Sequence, residues 1–186
     1  MKPFPKLLQE IQKTVHPRSQ NVEFGGIDIS SLALPQGVSI HPDVTEYLSS
    51  SVPNDFLPFH VYELRNVYRD GKVSDEMVSV SYELYPTADF TFVNSQVNPR
   101  LLQNGFVAIG SDNGDDLAFD VRSGALFRFE HDLDFTPGNE VTMSPGRRNE
   151  SPGDFDGIRK FSPVRYASFA AFRDAVLAAW QRDHAK

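Results

Sequence analysis

The stretch that most constrains this chain is residues 105–132, GFVAIGSDNGDDLAFDVRSGALFRFEHD. Three short apolar runs, 106–109, 117–121 and 125–131, are separated by two glycine-bearing turns. Runs of this length bounded by Gly, Asn and Asp read as strands joined by hairpins. They predict an antiparallel meander at the centre of one domain. The second turn carries a register. Were the loop only Ser123-Gly124, Phe119 would sit opposite Arg128, mixing an apolar and a charged residue on one face. A three-residue loop, Arg122-Ser123-Gly124, sets Phe119 opposite Phe127, Leu117 opposite Phe129, Ala118 opposite Arg128 and Asp120 opposite Leu126. It also leaves Gly124 free to take a left-handed bulge conformation. That register is the expectation.

The first turn, Ser111-Asp112-Asn113-Gly114-Asp115-Asp116, is less simple. Asn-Gly is the strongest two-residue hairpin signal. A two-residue loop, however, places Asp112 directly opposite Asp115, and like charges facing across a ladder are destabilising. Either the loop is longer, or the charge is retained for another reason. A calcium loop fails on spacing. Aligning Gly114 with the glycine of an EF-hand loop puts Ile109 at a ligand position, and an isoleucine cannot ligate.

Around this centre the remaining elements fall in order. Residues 5–15 have Leu7, Leu8, Ile11 and Val15 on one helical face, with Pro5 suited to a first turn. Residues 27–39 are irregular with weak strand signals. Pro42 opens a second helix whose apolar stripe is Val44, Tyr47 and Leu48. Residues 59–68 fit a strand or a helical turn. Residues 77–85 alternate cleanly, with Val78, Val80, Tyr82 and Leu84 predicted inside and Ser79, Ser81 and Glu83 outside. Residues 90–93, FTFV, read as a further strand. Residues 134–160 are rich in Pro-Gly and Asp-Gly pairs and predict a long loop. The chain closes on a helix over 168–183, capped by Ser168 and buried through Phe169, Phe172, Val176, Leu177 and Trp180. Strands in the middle and helices at the ends predict an α+β fold: one domain over 1–186 with an antiparallel-rich sheet and helices packed on it.

Charge and composition narrow the chemistry. The net charge is −7, which disfavours nonspecific nucleic-acid binding. Residues 111–140 hold eight acids against two arginines, so most of the excess lies on the meander. Cysteine is absent, so neither disulfides nor thiolate chemistry is available. The N-terminus shows no signal-peptide pattern, and no stretch of the sequence approaches the apolar length needed to span a bilayer, which predicts a cytosolic protein. No GxSxG elbow, phosphate loop or HExxH spacing occurs. Strand alternation separates His131 from Glu130 and Asp132, leaving it on the face of Phe127 and Phe129. Glu130 and Asp132 could form a carboxylate pair of glycosidase type, although solvated strand-end acids are far commoner.

The run FVAIGSDNGDDLAFDVRSGALFRFEHD resembles the SMI1/KNR4 (SUKH) superfamily. There a strand ending in an Ile-Gly turn leads to Gly and acidic residues, then to an aromatic-Asp strand (Phe119-Asp120) and a strand closing near a His-acid pair (His131-Asp132). Ser168-Phe169-Ala170-Ala171-Phe172 resembles the family's closing helix. The likeness covers 99–132 well and 163–180 in part, so 99–180 is the best-supported part of the domain. The N-terminal half departs from the pattern, with Leu34-Pro35 followed by Gln36-Gly37 and the helix delayed to Pro42. The resemblance implies a non-catalytic α+β binding domain needing neither cofactor nor metal. Many bacterial members are immunity proteins that neutralise a cognate toxin, often a nuclease with a basic cleft. Fungal relatives are regulatory interaction proteins. An acidic surface would complement such a toxin, so Asp112, Asp115, Asp116, Glu130, Asp132 and Asp134 are the candidate partner contacts. The alternatives are a regulatory scaffold without a toxin and a carboxylate-dependent hydrolase.

Overall fold

The computed structural model describes residues 27–49, 59–69, 72–112, 114–129 and 164–184, together with Lys6 and Glu10. Six strands lie side by side in chain order, each antiparallel to the next. They are β1 (Phe59–Arg69), β2 (Lys72–Leu84), β3 (Phe106–Asp112), β4 (Asp115–Asp120), β5 (Leu126–Phe129) and β6 (Val164–Tyr166). Among the described residues they are accompanied by the α-helices α1 (Pro42–Leu48), α2 (Thr87–Phe92), α3 (Pro99–Gln103) and α4 (Phe169–His184). The α+β architecture follows from the hydrophobic pattern, and the ambiguous 59–68 run resolves as a strand along its whole length.

The helices on one face are held by a shared cap. Pro42 stands at the start of α1, where its missing N–H costs nothing. The His41 Nδ1 accepts the Asp43 N–H at 3.2 Å. The Asp43 carboxylate reaches across to the other helix and accepts the Phe169 N–H at 3.1 Å. Ser168 Oγ accepts the Ala171 N–H at 3.2 Å, so Ser168 caps α4 as its sequence position predicts. An ion pair from Arg173 to Glu46, 3.1 Å, ties α4 to α1 further along. Below them Tyr47, Phe119 and Phe169 meet with ring centroids 5.4 to 5.8 Å apart, in tilted and edge-on contacts.

The middle of the sheet, β3 to β5, is buried on both faces. Leu117, Phe119 and Leu126 point to α1 and α4. Ala118, Phe127 and Phe129 point the other way, onto Phe106 and Leu101. Phe106 packs edge-on against Phe127 and Phe129 at 5.6 and 4.9 Å.

This two-sidedness corrects the expected register. Phe119 pairs with Leu126, Ala118 with Phe127 and Leu117 with Arg128, one residue away from the pairing of Phe119 with Phe127. A one-residue slip normally turns a buried face to water. Here each face is apolar in either register, so alternation alone does not discriminate. The loop decides instead, and it spans four residues, 121–124. The Asp120 N–H donates to the Ala125 carbonyl at 2.9 Å, and the Gly124 N–H donates to the Asp120 carbonyl at 2.9 Å. Gly124 is left-handed, φ 70°, and a side chain there would also strike the His41 ring.

The second correction concerns FTFV. These residues do not form a strand; they lie in α2 and the start of a π turn, Val93–Val97. Four residues of period-two alternation are outweighed by the spacing of the buried side chains. The fully buried Phe90 and Asn94 fall four apart and face inward together, which is a helical spacing. The Asn94 side chain then takes the place of a strand. Its Nδ2 donates to the Ala108 carbonyl at 3.0 Å and its Oδ1 accepts the Ala108 N–H at 2.8 Å. A backbone edge of β3 that β2 leaves unpaired is thereby satisfied by one amide.

The alternation over 77–85 holds. Val80, Tyr82 and Leu84 are buried, Val78 and Ser81 are half-buried, and Ser79 and Glu83 are exposed. The helix expected over 5–15 and the long loop expected over 134–160 fall outside the described residues, apart from Lys6 and Glu10.

Candidate functional site

The first hairpin of the meander is a two-residue turn, and Asp112 does stand opposite Asp115. Gly114 takes φ 95°, as the turn requires. Two like charges therefore face each other, and both residues are nearly sealed from water, at 6% and 5% exposure. Arg128, brought over from β5, resolves the conflict. The observed register sets it opposite Leu117, on the same face as Asp115. The expected register would have placed it opposite Ala118, on the other face. Its Nε lies 3.4 Å from Asp112 Oδ2, a charge contact without hydrogen-bond alignment, and its Nη2 bonds Asp115 Oδ2. Buried carboxylates need a counter-charge, and this pairing and the four-residue second loop favour the same register.

Asp116 points to the opposite face. Its Oδ1 accepts the Tyr85 hydroxyl at 2.7 Å and the Asn98 amide at 3.1 Å. Burial pushes the Asp116 carboxyl above its ordinary range and the Asp115 charge adds to this, while the Tyr85 and Asn98 hydrogen bonds pull it back. Burial, and then the Asp116 charge, raise the Tyr85 hydroxyl in turn. Asp120, with no exposed surface, closes the second turn. Its Oδ1 accepts the Arg122 N–H at 2.9 Å and its Oδ2 accepts the Ser123 hydroxyl at 2.7 Å.

Of the three candidate contacts on the first turn, two stand together and are buried, and the third lies half-buried on the opposite face. Asp112 and Asp115 are closed over Arg128, and Asp116 is tied to Tyr85 and Asn98. The charge excess that marked this turn as a docking point is used within the fold. Glu130, Asp132 and Asp134 lie outside the described residues, as does His131. Among the described residues, no three His, Asp or Glu are grouped to hold a metal ion. A shallow hollow of about 320 Å³ is lined by Ile27, Asp28, Ile29, Thr45, Leu48 and Ser49, with few polar groups converging in it.

Among the described residues the large apolar side chains left exposed are Met77, Phe92 and Val97. Phe92 is 63% exposed and Val97 58%. The Asn98 N–H donates to the Val93 carbonyl at 2.8 Å, five residues back, and that wider winding brings positions 92 and 97 toward the same side. The next residue, Asn98, is the one bonded to Asp116, so this apolar pair sits beside the acidic hairpin. Alternation assigned Phe92 to a strand face, and nothing in the local pattern announces a π turn.

No family model, no curated protein and no solved structure matches the chain.

Proposed function

We propose that this chain is a non-catalytic protein-binding domain that neutralises a cognate toxin, and that it grips that partner through Phe92 and Val97. The exposure of this pair is the observation that carries the reading. A large exposed aromatic on a helix, with a second exposed apolar side chain five residues on, has the make-up of an interface anchor. The net charge of −7 supplies steering toward a basic partner such as a nuclease cleft. The likeness of 99–132 and 163–180 to the SMI1/KNR4 superfamily points in the same direction. The non-catalytic part of the proposal draws on the internal use of Asp112, Asp115, Asp116 and Asp120, each engaged by a partner inside the fold. No helix among the described residues is long and apolar enough to cross a membrane. Placement in the cytosol, in keeping with a chain that has no cysteine, belongs to the proposal.

The test is calorimetric titration against the purified products of toxin genes adjacent to this one, with toxin activity assayed alongside. One of them should bind one to one and lose its activity. Phe92→Ser should weaken binding by about 30-fold, the scale of an interface hot spot, and Val97→Ser by less. If no adjacent toxin binds, the neutralising function is wrong. If one binds and Phe92→Ser binds as tightly, the site is elsewhere.

A further inference from the structure

We propose that Asp116 is a positioning residue for the exposed apolar pair: through Tyr85 and Asn98 it clasps both ends of the segment that carries Phe92 and Val97. The inference rests on the reading of that pair as the anchor for a partner. The segment leaves β2 at Tyr85, runs through α2 and the π turn, and reaches α3 at Asn98. Its two ends meet on one atom. The Tyr85 hydroxyl and the Asn98 side-chain amide both donate to Asp116 Oδ1, at 2.7 and 3.1 Å. Between the ends, Phe90 and Asn94 are fully buried, and the Asn94 amide bonds both main-chain groups of Ala108. Phe92 and Val97 are thus mounted on a stretch fixed to the sheet at its start, middle and end.

The clasp sits where the winding changes. In an α-helix the N–H of residue 98 bonds the carbonyl of residue 94, and the residue one turn beyond Phe92 is Gln96. Here the Asn98 N–H bonds the Val93 carbonyl instead. Reversion to α winding would turn Val97 away and bring the polar Gln96 into line with Phe92. A π turn is rare, and it occurs frequently at functional sites. Pro99 disfavours α dihedrals at Asn98, which takes φ −117° and ψ 44°. The bond to Asp116 then fixes where that joint lies against β4. An anchor held in place before its partner arrives is spared the cost of being ordered on binding. Asp116 therefore acts on a partner from one step behind the surface and not by contact.

Two measurements test this, and only one needs a partner. The first is residue-resolved hydrogen exchange at the Asn98 and Leu102 amides, which donate to the Val93 and Asn98 carbonyls. Asp116→Ala removes the shared acceptor and should speed exchange at both by about 10-fold or more. The Ser49 amide, bonded to Thr45 in α1, should keep its parent rate. Asp116→Asn, which keeps an acceptor oxygen, should exchange no faster than the parent. Asn98→Ala leaves the Tyr85 bond in place, should loosen the same amides, and covers the case that Asp116→Ala fails to fold. The second measurement is titration with an adjacent toxin that binds the parent. Asp116→Ala should weaken binding by about 10-fold, Asp116→Asn should restore it, and adding Asp116→Ala to Phe92→Ser should cost almost nothing more, because the anchor being positioned is already gone. Parent-like exchange at Asn98 and Leu102 in both alanine variants overturns the clasp, whether or not any toxin binds. So does acceleration shared equally by Ser49 or by Asp116→Asn. Full additivity of Asp116→Ala with Phe92→Ser overturns the positioning role. If no toxin binds, the neutralising function falls on its own, and the exchange rates still decide the clasp.

Discussion

The two turns of the meander each carry buried aspartate and use it in opposite ways. In the second turn, Asp120 is satisfied locally: its carboxylate accepts from Arg122 and Ser123, two and three residues on. In the first, Asp112 and Asp115 are satisfied from a distance, by an arginine thirteen residues beyond Asp115. The local arrangement is an Asx-type turn that the chain makes for itself. The distant one exists only when three strands have paired in one register. An acidic turn in a sequence is therefore not yet an acidic surface, because the fold can supply the counter-charge. In this chain the two facing aspartates of the acid-rich turn are buried, and Phe92 and Val97 are exposed near it.

The contrast breaks most visibly at Arg128. Arg128→Met leaves two buried carboxylates facing each other with their cation gone, and it should cost about 3 kcal/mol, as for a buried pair that loses one member. Urea unfolding reads this directly. Combining Arg128→Met with Asp112→Asn and Asp115→Asn should recover much of the loss, since replacing a whole buried ionic group is far less costly than removing half of it. A cost under about 1 kcal/mol for Arg128→Met would instead class the cluster with exposed ion pairs. It would then restore the first hairpin as a docking candidate.

The local turn should be less sensitive, and selective in its chemistry. Asp120→Ala leaves the Arg122 N–H and the Ser123 hydroxyl without their acceptor and should cost about 2 kcal/mol. Asp120→Asn keeps an oxygen on the Arg122 N–H and should cost under about 1 kcal/mol. If the two substitutions cost the same, negative charge and not hydrogen bonding is what the second turn requires. The two turns would then be alike after all.

The same contrast explains what could be read in advance. Helix α1 with its Val44, Tyr47 and Leu48 stripe, the Ser168 cap of α4 and the alternation of β2 all rest on short-range pattern, and all are legible. The opposition of Asp112 and Asp115 was legible as a problem, but its solution was not, because no local rule links residues 112 and 128. The register of the second hairpin failed for a related reason. With Phe119, Leu126, Phe127 and Phe129 all buried, alternation has no wet side to consult. FTFV failed because four alternating residues fit a strand, whereas the spacing of Phe90 and Asn94 shows only once Ala108 is beside them.

Asp116 sharpens the comparison at the smallest scale, since it belongs to the acidic hairpin yet is satisfied by neutral donors, Tyr85 and Asn98, in place of a cation. Its carboxyl is raised, so the folded state holds its proton at a pH where the unfolded chain has released it. The stability it contributes is therefore fully present below the ordinary carboxylate range and is lost as pH rises through the raised value. Asp116→Asn keeps an acceptor oxygen for both donors but cannot ionise. Measured by thermal unfolding, the variant should match the parent in acid and gain on it steadily toward neutral pH. A flat difference from acid to neutral pH would show that Tyr85 and Asn98 compensate burial in full. Neutral donors would then serve a buried carboxylate as well as Arg128 does, and the distinction between the faces of this hairpin would reduce to geometry alone.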